Sequence, residues 1–231
     1  MANMFSSKAR KQARMRNYEG GLVSERSYNA ILGLTVLYGI IANVIICRFF
    51  TNFALHMNPL LMLVGYVVLC LAGVCMAHSS TNVGVSFLAY NMIVLPMGLV
   101  LSTTVYSYGG LSALVVIQAF NYTLIITAAM IGLSILFPAF FSRIGGILFG
   151  SLIGLLLSGI ITVLIFRTYP IGLSYIGAII FSLYIGYDFW KAQQFPKTAT
   201  NAIACAVDIY LDMINLFLNL LRILGNSKKN N

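Results

Sequence analysis

The chain has 231 residues, 60% of them hydrophobic and 8% charged, with a mean hydropathy of +0.92. Soluble domains carry about 25% charged residues, so this composition excludes a large soluble domain and points to a polytopic membrane protein. The net charge of +9 is concentrated before the first apolar run, in Lys8, Arg10, Lys11, Arg14, Arg16 and Arg26, a segment suited to anionic lipid headgroups on the cytoplasmic side rather than to nucleic acid.

Residues 1–29 form this polar, basic segment. Its basic part is too long for a secretory signal, and no small-residue cleavage site follows, so the first apolar run reads as a retained span. A bilayer core about 30 Å thick takes about 20 helical residues to cross. On that ruler seven spans follow, at 30–50, 59–77, 83–107, 111–137, 144–166, 171–190 and 200–224. Residues 30–225 are thus expected to form a seven-helix transmembrane domain with a short tail at 226–231. The predicted breaks include Asn58-Pro59, the run 78–82, Gly109-Gly110, Pro138 to Arg143, Arg167 to Pro170 and Lys191 to Thr200; Pro96 predicts a kink inside the third span. Gaps this short make consecutive spans antiparallel neighbours. With the N-terminus inside, nine Lys and Arg face the cytoplasm and five face outward, which favours a cytoplasmic N-terminus.

Small residues recur every fourth position in two spans, as Gly146, Gly150, Gly154 and Ser158 and as Ser174, Ala178, Ser182 and Gly186. Such faces predict close helix packing. Cys47, Cys70, Cys75 and Cys205 lie in or beside apolar runs without C-x-x-C spacing, and the histidines are two, His56 and His78. The thiols therefore read as small buried hydrophobes, not as disulfides or metal ligands.

The acids are the informative residues. Glu19 and Glu25 belong to the N-terminal segment, which leaves Asp188, Asp208 and Asp212 within or beside the last two spans. A charged carboxylate at mid-bilayer costs at least about 2.5–3.5 kcal/mol, so these three are expected to face protein or water and to do something. Asp208, Asp212, Asn215 and Asn219 fall on one helix face, with Asn201 upstream and Arg222 downstream to snorkel outward. Asp188 and Asp212 are equally distant from Thr200, so a hairpin centred there would bring both carboxyls to one depth, with Asp208 as the fallback partner. Two carboxyls in contact away from water do not both ionise at ordinary pH and titrate as a unit. Such a pair can switch with pH, carry a proton or bind a divalent cation, Ca²⁺ fitting on ligand grounds; the simpler alternative is a shared proton that only clamps two helices.

The stretches IFSLYIGYDFWKAQ (180–193) and AVDIYLDMINLFLNLLRILG (206–225) resemble the sixth- and seventh-span elements of the transmembrane Bax inhibitor motif family, also called the Bax inhibitor-1 family. QAFNYT (118–123), with Pro96, Gly98 and Ser102, extends the similarity upstream. The resemblance implies an all-α fold of seven transmembrane helices, the C-terminal one enclosed by the other six. It also implies that Asp188 and Asp212 form a pH-sensing latch over a calcium leak path, with Asn215, Asn219 and Gln118 as supporting polar positions. Asp208 is an extra acid against the family pattern. Some relatives have a basic cluster after the second span, where this chain has HSSTN (78–82) and no Lys or Arg; Gln118 replaces a frequent acid. His78 is then the one titratable group near that position, and a loop histidine is ordinarily just solvated.

The expected function is a pH-sensitive cation leak channel or transporter, Ca²⁺ or H⁺ being the ion carried, with no other cofactor. A regulator of a membrane protease or of stress and cell-death signalling, working through a membrane protein partner without transport, is the alternative. An intramembrane aspartyl protease is the minor one: Asp212 sits in Leu-Asp-Met without flanking glycines, so the chain is not expected to be an enzyme. The bacterial cytoplasmic membrane is the expected location.

Overall fold

The computed structural model describes residues 21–167 and 170–229, apart from the side chains of residues 163, 166, 228 and 229. The basic residues Lys8, Arg10, Lys11, Arg14 and Arg16 lie outside the described residues. The described chain is helical and contains no strand. Its helices are α1 (Glu25–Phe49), α2 (Thr51–His56), α3 (Pro59–Ser79), α4 (Val83–Ser107), α5 (Leu114–Leu136), α6 (Pro138–Phe166), α7 (Ile171–Gln193) and α8 (Ala199–Lys229). All but α2 are long and apolar enough to cross a membrane. The chain is therefore an all-α polytopic membrane protein, as its composition requires.

Local chemistry explains the boundaries. Ser24 caps α1, its hydroxyl accepting from the Ser27 N–H at 3.1 Å. Asn58 caps α3 through the Leu60 and Leu61 amides, with Pro59 in the first turn, where its missing N–H costs nothing. Pro138 plays the same part for α6. The break expected over Pro138 to Arg143 is thus confined to the residue before the proline, and those six residues are helical. Pro96 lies inside α4, whose helix continues through it. Arg167 takes a positive φ of 52° just beyond α6, which stops the helix.

Two compact units account for the contacts. The first holds the chain up to Ser107 together with Gln194–Tyr210, that is, α1 to α4 and the first part of α8. Here α4 packs against α1, α2 and α3. Tyr28, Tyr90 and Tyr210 are fully buried. Asn43 donates to the Tyr210 hydroxyl at 2.6 Å, and the Tyr90 ring meets that of Tyr210 edge-on at 5.5 Å. Gly39 makes room for both rings, because any Cβ there would collide with the Tyr90 hydroxyl and Tyr210.

The second unit holds Tyr108–Gln193 and the chain from Leu211 on. In it α7 packs against α5 and α6. Gly186 of α7 lies against the Phe141 ring and the Met130 carbonyl, so backbone and aromatic ring touch without a side chain between them. The stripe Ser174, Ala178, Ser182 and Gly186 does help α7 pack, with Ser174 and Gly186 buried. The other stripe does not. Gly146, Gly150 and Gly154 are exposed, with nothing within 4 Å of a Cβ placed on them. α6 instead buries Phe141, Leu148 and Leu155, which lie on its opposite side.

Candidate functional site

Three aspartates fall within the last two long helices, and each is largely withdrawn from water. Asp188 on α7 is 7% exposed and Asp212 on α8 is 8% exposed. Burial at this level is costly for a carboxylate unless a partner compensates it. For Asp188 one partner is on its own helix: Lys191 Nζ donates to Oδ1 at 2.8 Å, an i, i+3 pair. Lys191 is about one-third exposed and also lies 5.8 Å from the Tyr187 ring centre. The sixth span expected from the sequence ends at residue 190 and leaves Lys191 in a loop; α7 continues to Gln193 and makes the pair possible.

The turn between α7 and α8 occupies residues 194–198, centred on Pro196 and not on Thr200. Pro196 cannot continue a helix, and the Thr198 hydroxyl accepts from the Asn201 N–H at 3.2 Å, which starts α8 early. Asn201, expected on the polar stripe, instead donates its side-chain amide to the Pro196 carbonyl at 2.9 Å and holds this turn. Asp188 is then five residues from the end of α7 and Asp212 thirteen from the start of α8, so equal arms do not set their depths. Tyr184 lies one helical turn before Asp188 on α7. The Tyr187 ring beside it fills the space above Gly145, where a Cβ would come within 2.6 Å of the hydroxyl. Tyr184, Tyr187 and Trp190 follow one another on α7 at centre distances of 6.4 and 5.9 Å.

The polar stripe of α8 is only partly directed at neighbours. Asn215 donates to the Leu211 carbonyl and Asn219 to the Asn215 carbonyl, both at 2.8 Å, so each amide group rests on its own helix. Asn219 fits against Gly177, where a Cβ would be 2.8 Å from its oxygen. Gln118 on α5 is half-buried.

Asp208 belongs to the first unit and has its own partner there. His78 Nε2 donates to Asp208 Oδ1 at 2.9 Å, with the two side chains 14% and 16% exposed. The histidine expected to be solvated is therefore largely enclosed, and Asp208 is matched by a residue 130 positions away. Among the described residues no three His, Cys, Asp or Glu side chains converge as a metal site.

A sequence model of the family described as "Inhibitor of apoptosis-promoting Bax1" matches residues 23–229. Among characterised proteins, the chain is 34% identical over 116 residues to the Golgi anti-apoptotic protein of vaccinia virus (strain Lister), covering 50% of this chain and 48% of that one. It is 30% identical over 135 residues to Bax inhibitor 1 of Schizosaccharomyces pombe, 58% and 49% of the two chains. It is 34% identical over 120 residues to the inner membrane protein YbhL of Escherichia coli K12, 46% and 51%. The chain thus spans about half the length of these relatives.

Proposed function

The chain belongs to the Bax inhibitor-1 family, and from that premise we propose that it is a pH-sensitive cation leak channel or transporter, with Ca²⁺ as the ion carried. The observation that supports this most is the burial of Asp188 and Asp212 in apolar helices. In this reading a proton shared in that neighbourhood holds α7 to α8, and its loss at higher pH leaves repelling charges that open a path or receive the cation. Lys191 balances one of the two charges and so sets the pH at which this happens. Two carboxylates supply only part of the six to eight oxygens that Ca²⁺ takes. Waters and backbone carbonyls complete the shell, and such a site passes an ion rather than storing it.

The N-terminus is taken as cytoplasmic and the membrane as a bacterial cytoplasmic one, in keeping with the positive-inside count and the inner-membrane relative. A second reading follows from the names of two relatives, one anti-apoptotic and one a Bax inhibitor: a regulator that binds a membrane partner through residues 1–26 and carries no ion. Reconstitution separates the two. Transport requires ion flux from purified protein alone that survives removal of residues 1–26. A regulator without transport leaves the liposomes tight and loses partner binding on that deletion. A proteolytic role is disfavoured by the Leu-Asp-Met surround of Asp212.

A further inference from the structure

Lys191 balances Asp188, but a lysine does not hold such a pair unaided. Its ammonium ends a flexible four-carbon stem and is about one-third exposed, and ion pairs that water reaches lose most of their attraction to hydration and side-chain freedom. A second contact steadies Nζ at its 2.8 Å from Asp188 Oδ1. The Tyr187 ring lies one turn back on α7 with Nζ 5.8 Å from its centre, within the range over which a ring face attracts a cation.

The ring itself is held on three sides. Gly145 of α6 lies so close that a Cβ there would come within 2.6 Å of the hydroxyl and 2.7–2.8 Å of two ring carbons. Tyr184 meets the ring edge-on at 6.4 Å, and Trp190 meets it at 5.9 Å, tilted by 36°. All of these residues belong to the second unit. The α6 backbone thus fixes the ring, the ring fixes the ammonium, and the ammonium meets the carboxylate. On α5 and α6, which pack against α7, the other titratable or charged side chains are Tyr122 and Arg143, both exposed; α8 adds Asp212, the second acid of the site.

We propose that Tyr187 is a positioning residue that holds Lys191 on Asp188 and thereby sets the pH at which the site responds. That response is ion flux in the transport reading, on which this role rests. The placing of Lys191 also has a reporter that needs no flux, because Trp190 is the one tryptophan in the chain and adjoins both Tyr187 and Lys191. Without the ring the ammonium spends more time in water, the protonated carboxyl gains, and the midpoint moves up.

The midpoint is measured twice on the purified full chain, as half-maximal calcium flux in liposomes and as the pH titration of Trp190 emission in detergent. Tyr187→Phe keeps a ring and is expected to keep the wild-type midpoint. Tyr187→Leu is expected to raise it by about 0.3–0.7 of a pH unit, less than Lys191→Met does, and to add nothing in a chain that already carries Lys191→Met. Tyr187→Met repeats this arm if Tyr187→Leu elutes as aggregate. An unchanged midpoint in Tyr187→Leu and Tyr187→Met, an equal rise in Tyr187→Phe, a further rise on top of Lys191→Met, or a Trp190 titration without a midpoint between about pH 4 and pH 9 overturns the role. Liposomes that stay tight while the Trp190 midpoint moves as stated refute transport and leave the placing of Lys191 standing.

Discussion

His78 and Asp208 are joined by a 2.9 Å hydrogen bond that ties the last turn of α3 to α8. Both side chains keep some access to solvent, which limits the strength of the tie. Polar pairs between membrane helices couple by about 0.6 kcal/mol on average and up to about 1.7 kcal/mol. A double-mutant cycle with His78→Gln and Asp208→Asn, read as thermal unfolding in detergent, is expected to show coupling in that range. Strictly additive effects would mean that the pair does not hold the helices together.

Lys191 is the neighbouring charge that Asp188 keeps on its own helix. An ammonium beside a carboxylate favours its ionised form, so Lys191→Met favours the protonated one. In the transport reading the protonated form is closed. The pH at which flux is half-maximal should then rise, by about one unit or less because Lys191 is partly hydrated. Lys191→Arg should restore the original midpoint. A shift toward lower pH in Lys191→Met contradicts this role.

The glycines separate packed faces from open ones. A methyl group at Gly186 meets the Phe141 ring and the Met130 carbonyl, whereas one at Gly150 meets nothing. Gly186→Ala is expected to destabilise by about 1–3 kcal/mol, as overpacking does. Gly150→Ala should stay within about 0.5 kcal/mol of wild type. Thermal unfolding of the two purified variants side by side gives the comparison, and equal losses would contradict the packing described.

Much of this fold is legible in the sequence because a bilayer reads length and apolarity, which are local properties. The seven long helices follow from runs of about the thickness of the membrane. The six-residue helix Thr51–His56 is too short to leave such a signal. Pro138 illustrates a different failure: a proline ends one helix and begins the next with equal ease, and only the tertiary fold decides how many residues separate them. Spacing also names a helix face without naming its neighbour. The repeat of Gly146, Gly150 and Gly154 is regular, yet α6 turns that face away from the chain and packs through Phe141, Leu148 and Leu155. The candidate site was legible as acids, since a carboxylate in an apolar span is conspicuous by its cost. Its partners were not. The His78–Asp208 contact spans 130 residues, and Lys191 became a partner only because α7 runs three residues past the expected end.

The most direct test of the transport reading is calcium flux into liposomes holding the purified chain, measured between about pH 6 and pH 8, with Asp212→Asn and Asp188→Asn in parallel. Flux is expected to rise with pH in the wild type, and to lose that pH dependence in both variants, because neither can present two titrating carboxyls. Flux that is indifferent to pH in the wild type, or equally pH-dependent in both variants, contradicts the account.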